Sequence, residues 1–184
     1  MNENASGKTY LVLGLARSGC AAGGLLRRQG ARVWGVDDAD EAAVRRRWER
    51  EGLSDLAPRA FDDLLTGGHW PPPDRIAALA GVVVSPGVPL DHPRLASLPA
   101  GVPVLHELEL GARFCAAPMV AVTGTNGKST TTALIAHLLR QDGRQAEALG
   151  NLGRPLCTVA DTLPARATAV LEVSSFQLET ISTF

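Results

Sequence analysis

Residues 119–141 read MVAVTGTNGKSTTTALIAHLLRQ. The apolar run Met119-Val120-Ala121-Val122 is a short strand, the next residues turn on two glycines, and Lys128 to Gln141 is a helix. Strand, glycine turn and helix in this order are the physical plan of a phosphate-binding loop. Glycines let successive backbone N–H groups point at phosphate oxygens, and the following helix adds its positive N-terminal end. Lys128 places a charge on the outer phosphates, and the Ser129 hydroxyl can coordinate Mg²⁺. Gly124, Thr125, Asn126, Gly127, Lys128, Ser129 and Thr130 are therefore the expected ATP site. The strict pattern GxxxxGK[ST] would place glycine at position 122, where this chain has Val122. A plain glycine turn with an incidental lysine would explain one or two of these features, but not their coincidence. A magnesium-ATP site also needs a carboxylate on a neighbouring strand, and Glu172, closing the apolar run before Val173-Ser174-Ser175, supplies one.

Working outward, short apolar runs alternate with helical segments along the whole chain, the pattern of an α/β fold with a mainly parallel sheet. Strands are expected at 10–13, 33–36, 81–84 and 102–105, with helices at 18–29, 40–51 and 106–114. The pattern then restarts with strands at 119–122, 146–149 and 169–171. Cys115-Ala116-Ala117-Pro118 looks like a join, which divides the chain into a Rossmann-like domain, 1–117, and the start of a P-loop ATPase domain, 118–184. Trp70-Pro71-Pro72-Pro73 is expected to be a surface loop. The second unit, with about three strands and a chain end at Phe184 inside an apparent helix, looks cut short.

A second glycine turn, Gly14-Leu15-Ala16-Arg17-Ser18-Gly19, follows the first strand and opens the first helix. It is an imperfect dinucleotide fingerprint, GxAxxG, and Asp37-Asp38 ends the second strand where a ribose-binding acid would sit. Nucleotide binding of some kind follows, with a tight structural turn and a capping Asp37 as the alternative. Ser85-Pro86-Gly87 ends another strand at the same edge, where open α/β sheets bind ligands.

With 184 residues, 18 basic against 19 acidic side chains and 45% hydrophobic residues, the chain has an ordinary globular composition. Its net charge of −1 gives no footing for nucleic acid. Arg45-Arg46-Arg47 reads as a solvated helix face. Cys20, Cys115 and Cys157 are far apart, without metal or redox spacing, and read as idle thiols in a reducing compartment. The N-terminus is polar and no apolar run approaches the ~20 residues of a membrane span. A cytoplasmic protein without membrane or nucleic-acid partners, acting as a monomer, is expected.

With these residues in hand, the chain resembles the Mur ligases, and among them the D-glutamate-adding branch. The resemblance rests on Leu13 to Gly19, Ser85-Pro86-Gly87-Val88, Thr123 to Thr130, Gly150-Asn151-Leu152-Gly153, and Leu171 to Glu179. The stretch Ser-Ser-Phe-Gln-Leu-Glu, 174–179, is the most specific of these. The family is similar in plan: a Rossmann-like domain for a UDP-linked substrate, a central ATP domain, and a C-terminal domain for the amino acid. The resemblance implies an ATP-dependent amide-forming ligase that joins D-glutamate to UDP-N-acetylmuramoyl-L-alanine through an acyl phosphate, in peptidoglycan precursor synthesis. It implies that Leu15, Ala16, Arg17 and Ser18 meet the pyrophosphate region and that Asp37 and Asp38 lie toward the uracil. Ser85, Pro86 and Gly87 would complete that site. Lys128, Asn151 and Glu172 become the catalytic set, Ser129 and Glu172 the Mg²⁺ ligands, and Ser174 a neighbour of the reacting carboxylate. Ala16 stands where the family usually has glycine. The family's chain continues far past position 184, so the resemblance also implies a fragment inactive by itself. Two other classes stay open: an NAD-dependent oxidoreductase built on the first glycine turn, and a non-catalytic nucleotide-binding remnant.

Overall fold

The computed structural model describes residues 4–89, 91–150, 153–178, 181, 182 and 184. Its first sheet is all parallel, with β1 (Thr9–Leu13), β2 (Arg32–Val36), β3 (Asp63–Leu65), β4 (Gly81–Val84) and β5 (Val104–His106) in the order β3-β2-β1-β4-β5. Both faces of these strands are apolar, as a parallel sheet covered on two sides requires. Tyr10, Val12, Val33, Val83 and Leu105 face one core, and Leu11, Leu13, Trp34, Val36, Val82 and Val84 face the other.

Helices α1 (Arg17–Arg28), α2 (Glu41–Glu51), α3 (Ala57–Ala60), α4 (Pro73–Ala77), α5 (Pro93–Ala96) and α6 (Glu107–Phe114) connect and cover the strands. Asp40 caps α2 by accepting from the Ala43 amide at 2.7 Å, and Gly52 ends it in the left-handed region. The proline stretch runs as expected until Pro73, which opens α4 at a position where a missing N–H costs nothing. The edge strand β3 went unforeseen, because three residues are too few to show a period.

The second sheet holds β6 (Met119–Val122), β7 (Ala146–Gly150) and β8 (Thr168–Glu172), parallel, in the order β6-β8-β7. Helix α7 (Lys128–Gln141) crosses it, and α8 (Ser175–Leu178) follows β8. Central β8 is buried throughout, whereas β6 leaves Val120 38% exposed and α7 leaves Leu134 and Leu138 more than half exposed. The outer strand β6 and the outer side of α7 thus stay open to solvent, while the central strand is covered on both faces.

Among its described residues the connection from β7 to β8 carries no α-helix. One 3-10 turn, Leu156–Thr158, sits inside it. Leu156, Cys157, Val159, Ala160 and Leu163 join the same core as Leu25, Leu26 and Leu108 of α1 and α6. The approach is close: a Cβ on Gly111 of α6 would lie 2.8 Å from Leu156 Cγ. Polar groups seal the seam. Arg28 donates to both Asp161 oxygens, at 2.8 and 2.9 Å, and to the Cys157 carbonyl at 3.0 Å. Buried Glu107 accepts from the Cys157 amide at 2.7 Å, and Glu109 from the Ser182 and Phe184 amides.

Candidate functional site

Parallel pairing aligns the carboxyl ends of the strands. Leu13 stands beside Val36 and Val84, so the three turns that follow, at Gly14, Asp37 and Ser85, open on one edge. Between β1 and β4 the connections depart in opposite directions, the crevice where open α/β sheets take ligands. A cleft of about 480 Å³ lies there. Ala16, Arg17, Ser18, Asp37, Asp38, Ser85, Pro86 and Gly87 all line it.

The glycine turn is built for close approach. A Cβ on Gly19 would stand 2.0 Å from the Gly14 carbonyl oxygen, so no other residue fits. The Ser85 hydroxyl donates to that same carbonyl at 2.6 Å and ties the β4 turn to the β1 turn. Ala16, at the N-cap of α1, offers no side-chain acceptor. The first-turn amides therefore remain for an anion, aided by the helix dipole.

Leu15 is placed elsewhere. Its side chain is fully buried, its amide donates to Asp37 at 2.9 Å, and its carbonyl accepts from Trp48 Nε1 at 2.7 Å. Asp37 is itself 7% exposed and accepts from Leu15, from the Ala39 amide at 3.0 Å and from Arg47 at 2.8 Å. Arg47 corrects the expectation of a solvated basic face. Arg45 and Arg46 point to solvent, but Arg47 lies on the inner side of α2 and lines the cleft. Asp38, at the rim, pairs with His92 at 3.0 Å and Arg94 at 2.9 Å. These three partners lie 10 to 56 positions from their carboxylates, and only the spacing of 44, 47, 48 and 51 along α2 could have pointed to Arg47. Cys20, on the first turn of α1, is no nucleophile: burial pushes its thiol up to about 12.

The second constellation sits on the second sheet. Gly127 is the N-cap of α7 in the left-handed region, φ 77°. Lys128 Nζ donates to the carbonyls of Gly124 at 2.7 Å and Thr125 at 3.4 Å, folding over the loop it belongs to. The Ser129 hydroxyl donates to Glu172 at 2.7 Å. Glu172 is 6% exposed at the end of β8, beside Val122 on one strand and Gly150 on the other. Gly150, φ 91°, is needed there, since a Cβ would lie 2.3 Å from the Glu172 carbonyl oxygen.

A hydroxyl and a carboxylate side by side are hard oxygen donors of the kind Mg²⁺ takes. Among the described residues no group of three His, Cys, Asp or Glu could hold a metal unaided. Mg²⁺ commonly shares its shell with water and substrate phosphates rather than occupying a protein cage. Ser174 lies just past β8, where its amide and hydroxyl both donate to Gln177. Asn151 lies outside the described residues. No helix among those described is long and apolar enough to cross a membrane.

The family model of the Mur ligase middle domain matches residues 122–183, from the glycine loop through β8 and α8. The UDP-N-acetylmuramoylalanine–D-glutamate ligase of Trichlorobacter lovleyi is 46% identical over 178 residues, 96% of this chain and 38% of that protein. Its counterpart in Geobacter metallireducens is 43% identical over 180 residues, 97% of this chain and 38% of that protein. The chain thus spans little more than a third of the length of these curated relatives. Among solved structures, a murein peptide ligase from Psychrobacter arcticus aligns with 92% of this chain and 39% of its own, at 19% identity and a TM-score of 0.47.

Proposed function

We propose that this chain, which belongs to the Mur ligase family, carries the nucleotide-substrate cleft and the ATP phosphate site of an enzyme that adds D-glutamate to UDP-N-acetylmuramoyl-L-alanine. The reaction, in peptidoglycan precursor synthesis, passes through an acyl phosphate, and the protein works in the cytoplasm as a monomer. The observation that carries the reading is the Ser129–Glu172 pair, set at the start of the helix that begins with Lys128. A strand-end carboxylate, a hydroxyl and a lysine within one loop have no use in an NAD-dependent oxidoreductase.

In this reading residues 1–117 hold the UDP-linked substrate and residues 118–184 hold ATP. The uncapped first turn of α1, with Ala16, Arg17 and Ser18, meets the pyrophosphate, while Ser85, Pro86 and Gly87 form the opposite wall. Asp37 uses three of its roughly four lone-pair directions internally, which leaves about one for a uracil N–H. Asp38 completes that end. The backbone of Gly124, Thr125, Asn126 and Gly127, with Thr130 at the helix start, surrounds the ATP phosphates. Lys128 leaves its two carbonyls to meet the outer phosphates, and Ser129 and Glu172 hold Mg²⁺. The ion supplies charge neutralisation that lets a carboxylate approach a phosphoryl group. Asn151 and Ser174 orient the reacting carboxylate.

The chain should bind UDP-N-acetylmuramoyl-L-alanine in preference to NAD, as measured by calorimetric titration with each. Tighter binding of NAD would overturn the assignment of the first cleft. The non-catalytic alternative is separated by D-glutamate-dependent phosphate release from the full-length protein that contains this stretch.

A further inference from the structure

The cleft and the phosphate loop are joined by an unbroken series of direct contacts. Arg17, the first residue of α1 and part of the cleft lining, donates through Nη1 to the carbonyl of Gly153 at 2.9 Å. Its other arm reaches the Glu51 carbonyl at 3.5 Å. Gly153 is bonded in the chain to Arg154, whose carbonyl accepts from the Gly150 amide at the end of β7 at 2.9 Å. Gly150 is the register partner of Glu172, packed so closely that a Cβ between them has no room. Glu172 accepts from Ser129, in the first turn of α7.

From this series we infer that Arg17 is a positioning residue that couples occupancy of the nucleotide cleft to the geometry of the phosphate site. The proposal rests on the reading of the cleft as a UDP-substrate site. A guanidinium suits the task because it presents several donors in one rigid plane. One arm can hold the Gly153 carbonyl while the side chain stays at the mouth of the cleft. A ligand that packs against the α1 turn restricts the Arg17 side chain, and an ordered Arg17 holds Gly153 and, through Arg154, the hydrogen bond to the Gly150 amide beside Glu172. Coupling of this kind is reciprocal, so an intact Gly150–Arg154 hydrogen bond also favours the ligand.

Hydrogen exchange on the 184-residue chain tests the proposal, with UDP-N-acetylmuramoyl-L-alanine as the probe at about a hundredfold excess over its Kd. Protection of the Ser18 amide reports binding in the cleft, and protection of the Gly150 amide reports transmission. In the wild-type chain the Gly150 amide should exchange about tenfold more slowly with ligand, within the ~100-fold ceiling for openings that expel the ligand. Arg17 is exposed, so Arg17→Met and Arg17→Lys keep the fold. Arg17→Lys, which retains a cation for the pyrophosphate, should protect Ser18 but not Gly150, and Arg17→Met should lose the Gly150 effect at saturating ligand. Gly150 protection equal to wild type in either variant overturns the inference. So does faster Gly150 exchange on adding ligand, which would mean that Arg17 abandons Gly153 for the ligand. Failure to protect Ser18 in the wild-type chain overturns the reading of the cleft, and the inference with it.

Discussion

Removing the Asp37 carboxylate should destabilise the fold independently of any ligand. Asp37→Ala strips three donors of their acceptor at once: the Leu15 amide, the Ala39 amide and the Arg47 guanidinium. The Leu15 amide is buried, and a buried donor left without a partner costs about 1–3 kcal/mol. Arg47, whose side chain is about a quarter exposed, can recover water, so its loss adds about 1 kcal/mol. A total of about 3 kcal/mol corresponds to more than a hundredfold in the folding equilibrium. In urea, with a slope of ~2 kcal/mol per molar, the midpoint should fall by about 1.5 M. Tryptophan fluorescence reads the transition, and Trp48, bonded to the Leu15 carbonyl, reports from the affected corner. Asp37→Asn keeps one carbonyl oxygen and should lose about half as much. Asp38→Asn, at an exposed rim site, should stay within about 0.5 kcal/mol of wild type. An Asp37→Ala midpoint within the same range would refute the claim that this carboxylate organises the turn, and Asp37 would be left with a ligand role alone.

Three further outcomes are expected. Gly150→Ala places a side chain at φ 91° and a Cβ at 2.3 Å from a backbone oxygen, so urea unfolding should show a loss of about 2–4 kcal/mol; a loss below 1 would mean that the β7–β8 register yields freely. Lys128→Ala in the full-length protein should lower phosphate release roughly a hundredfold or more, leaving UDP-substrate affinity unchanged, and near-normal turnover would make the loop merely structural. Burial raises the Glu107 carboxyl from 4.5 to about 7, so its contribution to stability is full below about pH 4.5 and is lost as pH rises through 7. Glu107→Gln should remove that slope, at most ~1.4 kcal/mol per pH unit, and urea midpoints at pH 5 and 8 that keep the wild-type difference would count against it.

Helix α7 was legible to the residue, and α2 to within its cap, because a glycine or an aspartate marks each boundary. The glycine loop ahead of α7 was equally plain in the sequence, since lysine, hydroxyl and glycines lie within one turn. Glu172 was placed by its position at a strand end, although its partner Ser129 is 43 positions away. Arg47 was hidden inside a basic run that composition assigns to solvent, and only the tertiary position of Asp37 turns it inward. The 153–163 segment gave no signal of its destination. Its apolar residues at 156, 159, 160 and 163 keep a helical spacing although only a 3-10 turn forms there, and its polar partners lie up to 136 positions away. Leu15 was expected at the ligand by its place in the glycine turn, but the left-handed Gly14 breaks the strand alternation and sends its side chain into the core that α1 covers.

The segment between β7 and β8 also bears on how such a protein can be cut and recombined. A boundary drawn at Pro118 by strand order runs through bonds that α1 and α6 make with residues 153–163. Expressed alone, the first sheet would lose the cover over Leu25, Leu26 and Leu108 and leave Glu107 without the Cys157 amide. Transplanted alone, the second sheet would carry an orphan apolar loop. Shuffling that treats the two sheets as interchangeable parts must therefore move the loop with α1 and α6, or replace all three together.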